Sequence, residues 1–156
     1  LGFLYAGLMI KDNEIKVLEF NCRFGDPETQ PILLRLNSSL VELCKAAIDD
    51  KLDTYSIQWT EKHSCGVVIA SEGYPEDYES NKKVSIKENS IKDSKLFHAG
   101  TKYENETILT SGGRVFCATA LGSDLKDAQK NAYNLVNNVE FDGAFFRKDI
   151  GFKGIK

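Results

Sequence analysis

The chain has 156 residues, 42% of them hydrophobic and 28% charged, which supplies core material for one domain or two small ones and excludes a disordered or collagen-like polypeptide. Twenty Lys and Arg against 23 Asp and Glu leave a formal charge of -3, with no basic block to track a phosphate backbone, so a dedicated nucleic-acid binder is excluded. No apolar run approaches the roughly 20 residues of a membrane-spanning helix, and no membrane partner is expected.

Cys22, Cys44, Cys65 and Cys117 are isolated, and only two histidines accompany them, a poor basis for a zinc site or a disulfide framework. Their apolar neighbours predict small buried hydrophobes in a reducing, cytoplasmic setting. The Asn-x-Ser/Thr sequons at Asn37 and Asn105 would matter only in a secreted protein. The opening at Leu1, with the only methionine at Met9, reads as a piece of a longer polypeptide.

Taken in order, Phe3–Ile10 and Ile15–Asn21 are strand-like runs joined by Lys11, Asp12, Asn13 and Glu14, a hairpin signal with Asp-Asn at its tip. Alternation places Val17, Glu19 and Asn21 on one face of the second strand. Residues 22–30 carry Gly25 and Pro27 and cannot continue it, so a loop is expected to feed a short helix with Asp26 as N-cap and Pro27 in its first position. Ser39 and Glu42 have capping-box spacing, and Leu40, Leu43, Cys44, Ala47 and Ile48 follow at helical intervals, predicting a helix to about Asp50. A connection with Trp59 then suggests a domain boundary, giving residues 1–59 and 60–156.

The second part is expected to be mostly sheet, with strands at Ser64–Ser71, Lys83–Lys87, Lys95–Ala99, Thr107–Thr110 and Arg114–Leu121. One long amphipathic helix is expected from about Asp124 to Val139, capped by Ser123 or Asp124. The fold class is therefore α+β, a β-hairpin with helices followed by a small, mostly β domain with one long helix.

No glycine cradle of the G-x-x-x-x-G-K-S/T or G-x-G-x-x-G type is present. The conspicuous chemistry is Glu19 to Gln30, which gathers acidic and amide groups and Arg23 around a strand end. Glu19 and Asn21, about 6.6 Å apart along one face, are hard oxygen donors of the kind that hold magnesium together with substrate phosphates. Arg23 would join that face if the strand persisted, and its planar fork suits a carboxylate or phosphate. An exposed strand with Glu and Arg paired across its edge accounts for the same pattern.

The run Arg23 to Gln30, R-F-G-D-P-E-T-Q, resembles the signature of the phosphoribosylamine-glycine ligase family, also called glycinamide ribonucleotide synthetases, of the ATP-grasp superfamily. Val17 to Asn21, Tyr5 to Leu8, Gly73-Tyr74-Pro75 with Asp77-Tyr78, Phe97 to Gly100, Gly112 to Val115, Asp142 to Ala144 and Arg147 to Gly151 resemble the same family, in the same order. The sequence departs from the commoner pattern at Ser39, Ser71 and Glu72, away from the acidic loop.

The resemblance implies the end of an ATP-grasp domain followed by the family's C-terminal domain, with further domains of the same polypeptide upstream. It implies a ligase of purine biosynthesis that uses ATP to activate glycine as a glycyl phosphate, which the amine of 5-phosphoribosylamine attacks. Glu19 and Asn21 match metal-ligand positions for Mg2+ or Mn2+. Arg23 would stabilise the transferring phosphoryl group or orient a substrate anion, and Asp26 and Glu28 would recognise an amine or cap the following helix. His98 is read as structural, and Arg114 as reaching a nucleotide or bonding a carbonyl. Another ATP-grasp carboxylate-amine ligase and a non-catalytic derivative of the fold are the alternatives.

Overall fold

The computed structural model describes residues 1–88 and 90–155, which gather into two compact units. The first comprises residues 1–29 with 36–59, the second residues 30–35 with 60–156.

In the first unit, β1 (Tyr5–Lys11) and β2 (Glu14–Asn21) form an antiparallel hairpin. Asp12 and Asn13 at its tip have φ of 51° and 63°, the left-handed pair that a two-residue turn matching the strand twist demands. Pairing runs from Lys11 with Glu14 to Leu8 with Val17, then slips, so that Gly7 faces Glu19 and Tyr5 faces Asn21. Leu18 is the extra residue of a β-bulge. The bulge overturns one expectation: Val17 opposes Leu8, on the face away from Glu19, because one inserted residue switches faces.

The expected cap at Asp26 is also corrected. Helix α1 is Thr29–Leu34, so Asp26, Pro27 and Glu28 belong to the turn before it, and the backbone N–H of Thr29 closes that turn on the Gly25 carbonyl at 3.2 Å. Helix α2 (Leu40–Ile48) forms where the apolar spacing predicts. Ser39 Oγ accepts from the Glu42 N–H at 3.4 Å, while the Glu42 carboxylate turns to Lys45 Nζ at 3.3 Å, so only half of a capping box is made. The apolar face of α2, with Leu52, Ile57 and Phe3, lines a cavity of about 350 Å³.

The second unit is built on an antiparallel sheet ordered β10 (Ala144–Phe145), β3 (His63–Ser71), β8 (Arg114–Gly122), β5 (Ser94–His98). Helix α3 (Leu125–Val136) buries Ala128, Ala132, Leu135 and Val136 against Val67, Ile69, Phe116 and Ala118 of this sheet. Asp124 is the cap, its Oδ1 accepting from the Asp127 N–H at 2.7 Å. The helix stops short of the predicted Val139, because Val139–Glu140 forms β9 and pairs with β4 (Ser85–Ile86), the remnant of the longer strand expected at Lys83–Lys87.

Strand β6 (Thr101–Glu104), absent from the sequence-based reading, pairs with β7 (Thr107–Thr110) across a turn in which Asn105 and Glu106 both have positive φ. The cysteines divide: Cys65 and Cys117 are buried as expected, whereas Cys22 is exposed and Cys44 intermediate. Cys22 lies just past the end of β2, a strand whose residues are exposed from Glu14 to Phe20. No described helix is long and apolar enough to cross a membrane.

Candidate metal and substrate site

The first unit brings the acidic loop around one side chain of β1. Because direct cross-strand partners share a face, the slipped register stacks Tyr5 and Gly7 over Asn21 and Glu19. Asn21 Nδ2 donates to Glu19 Oε1 at 3.0 Å, tying the two donors together. Gly7 makes the room: a Cβ there would sit 3.1 Å from Glu19 Cγ. Across the loop, the Tyr5 hydroxyl donates to Glu28 Oε1 at 3.2 Å, and the Tyr5 ring and Glu28 together occupy the space a side chain at Gly25 would need, at 2.7 to 2.9 Å.

Arg23 lies beyond the end of β2, which stops at Asn21, so the strand does not carry it onto the Glu19 face as the persistence of alternation would require. Its Nη1 donates to the Phe24 carbonyl at 2.8 Å, and the Phe24 ring stacks on Phe3 with centroids 3.9 Å apart. Asp26 is exposed in the turn and Glu28 half-buried. Tyr5 registers the field of the group. The Glu28 charge, then desolvation, the Glu28 hydrogen bond and the Glu19 charge push its phenol above the ordinary range, and Arg23 opposes them.

The donor chemistry fits a hard divalent cation. An asparagine that donates through Nδ2 keeps its carbonyl oxygen as an acceptor, so Glu19 and Asn21 present carboxylate and amide oxygens together at one strand end. Among the described residues no three His, Cys, Asp or Glu side chains cluster as a complete metal cage. Two protein donors suit magnesium or manganese, which take remaining ligands from phosphates and water. Sequence reading passed over Tyr5 as a functional residue, since counting back from the turn without a bulge sets it opposite Phe20.

In the second unit the Gly73-Tyr74-Pro75 and Gly112-Gly113-Arg114 motifs meet at one end of the sheet. The Arg114 guanidinium lies over the Tyr74 ring at 5.7 Å, and that ring fills the place of a side chain at Gly113. His98 packs edge-on against Phe116 with centroids 4.8 Å apart, its Nδ1 3.1 Å from Thr101 Oγ1. A polar cavity of about 470 Å³ in the same unit is lined by Glu72, Asp77, Glu79, Lys82 and Asp142, none of them a predicted site residue.

The family profile for the phosphoribosylglycinamide synthetase C domain matches residues 64–153, and that for the ATP-grasp (A) domain of the same synthetase matches residues 1–29. A phosphoribosylamine–glycine ligase of Salmonella typhimurium is 54% identical over 158 residues, covering 99% of this chain and 37% of its own length. Its counterpart in Pasteurella multocida is 52% identical over 155 residues, 99% of this chain and 36% of that protein. The crystal structure of a phosphoribosylamine–glycine ligase from Thermotoga maritima superposes with a TM-score of 0.75 at 30% identity, covering 94% of this chain and 36% of that one. Urea carboxylase of Kluyveromyces lactis, at 17% identity and a TM-score of 0.63 over 89% of this chain and 12% of that one, shares the fold. The chain thus spans little more than a third of the length of the curated relatives it matches. With a family profile covering most of the second unit and more than half of the residues, the chain belongs to the phosphoribosylglycinamide synthetase family.

Proposed function

We propose that these residues are the metal-holding end of the ATP-grasp domain (1–59) and the C domain (60–156) of an ATP-dependent ligase that joins glycine to 5-phosphoribosylamine in purine biosynthesis, in the cytoplasm. The observation that carries the reading is the Glu19–Asn21 pair, held together at 3.0 Å at a strand end and followed by Arg23 and the Glu28 turn. The relatives that match nearly the whole chain are ligases of that name.

Glu19 and Asn21 would hold Mg2+ or Mn2+, and a bound divalent ion neutralises the charge that builds between ATP and the glycine carboxylate. Arg23 supplies a fixed cation for the phosphoryl group in flight. Glu28, anchored by Tyr5, and Asp26 offer carboxylates to a substrate amine, orienting it toward the activated glycine carbonyl. Phosphate leaves as the C–N bond forms.

The test is a chimera in which these residues replace the matching stretch of the Salmonella typhimurium ligase. ADP release should require both glycine and phosphoribosylamine, and Glu19→Gln should lower it by at least about 100-fold. Release that ignores phosphoribosylamine would assign the chain to another ATP-grasp ligase. The 156 residues alone, a little over a third of the relatives' length, are expected to release no ADP; turnover by them would refute the need for the remaining domains.

A further inference from the structure

We propose that Tyr5 is a positioning residue that holds Glu28 against the end of β2, so that the carboxylate meets a primary amine of the substrate in fixed relation to Glu19 and Asn21. The identity of the substrate rests on the ligase reading above. The contact rests on geometry.

Tyr5 is the cross-strand partner of Asn21, so its ring is placed by the same backbone ladder that places the amide. Its hydroxyl reaches 23 residues along the chain to Glu28 Oε1 at 3.2 Å. The ring packs where a Gly25 side chain would be, so the turn is pinned at both its glycine and its carboxylate. Glu28 otherwise sits on a turn with three rotatable side-chain bonds, and a partner of only two, fixed in a strand, removes that freedom before substrate arrives. Register thus passes from Asn21 through Tyr5 to Glu28.

The experiment uses the chimera and Tyr5→Phe, which keeps the ring and removes the hydroxyl. A hydrogen bond to a charged acceptor at a half-exposed site should be worth about tenfold. The expected result is a KM about tenfold higher for glycine or for phosphoribosylamine, with kcat within about threefold. Which of the two rises identifies the amine that Glu28 holds.

Because Tyr5 acts through Glu28, the double variant Tyr5→Phe/Glu28→Ala should be no worse than Glu28→Ala. Independent losses that multiply, or a Tyr5→Phe enzyme indistinguishable from wild type, would overturn the proposal. The contact is read separately by NMR of ζ-13C-tyrosine at neutral pH, in which the Tyr5 signal should shift when Glu28→Ala removes the acceptor of its hydroxyl. A Tyr5 signal that ignores Glu28→Ala overturns the contact itself, even in a fully active ligase. A wild-type chimera that releases no ADP while the Tyr5 signal still responds to Glu28→Ala overturns the ligase reading instead.

Discussion

At Cys65 a single side chain shows how burial turns into a measurable property. Its thiol is pushed above the ordinary range by desolvation first and by neighbouring Cys117 second. A folded state that prefers the protonated thiol gains stability that is complete below the unfolded value of about 8.5 and is lost as pH rises toward the higher folded value. Denaturation midpoints should therefore fall on the alkaline side, and the fall should shrink in Cys65→Ala. Burial also orders reactivity: at neutral pH a disulfide reagent should modify exposed Cys22 first and leave Cys65 and Cys117 untouched until denaturant is added. Early labelling of Cys65 would contradict its placement in the core. Gly113 makes a second residue-scale case, since a Cβ there would lie 2.1 Å from Tyr74 Cδ2, on a ring already faced by Arg114. Gly113→Ala should cost about 1–3 kcal/mol in urea denaturation; a neutral result would mean that the ring swings away freely.

Among the elements, the two longer helices differ in how firmly they begin. Asp124 caps α3 at 2.7 Å, satisfying one orphan donor of its first turn, and Asp127 Oδ2 accepts from the Ser123 N–H just before the cap at 3.1 Å, so the entry to the helix is held from both sides. The Ser39 cap of α2 is longer, at 3.4 Å, and unreciprocated. Asp124→Ala should cost about 1 kcal/mol and Ser39→Ala about half of that, measured as shifts of the unfolding midpoint in urea. The reverse order would show that packing rather than capping sets where these helices start. The hairpin formed by β6 and β7 illustrates the opposite limit. Its tip, Asn105-Glu106, adopts the left-handed pair without a glycine, so the turn carries a weak local signal and β6 escapes a reading based on residue types.

For the molecule as a whole, the informative asymmetry lies between the two units. The second closes its core, with Val67, Phe116, Ala118 and Ala132 fully buried between sheet and helix. In the first, Leu8, Met9, Ile10, Ile15, Val17, Leu18 and Phe20 of the hairpin are all 48–65% exposed, a broad apolar surface on a two-stranded ribbon. The purified 156-residue chain is therefore expected to bind a hydrophobic dye while folded and to associate as its concentration rises. Light scattering that shows a monomer at high concentration, with no dye bound, would refute this. Much of the fold is legible in the residues themselves: the Asp-Asn turn, the 3.6-residue spacing of α2 and α3, the apolar runs of β3 and β8, and the crowding of Glu19, Asn21, Arg23 and Glu28 into one short stretch. All of these depend on neighbours a few positions apart, which the sequence displays directly. What only the tertiary structure decided depends on groups far apart in the chain: the bulge at Leu18 that sets Tyr5 against Asn21, the bond from Tyr5 to Glu28, the departure of residues 30–35 to the second unit, and the pairing of Val139–Glu140 with β4. Side-chain periodicity is blind to one inserted residue until a partner strand registers it, and that is why the acidic stretch could be found by reading while the residue that organises it could not.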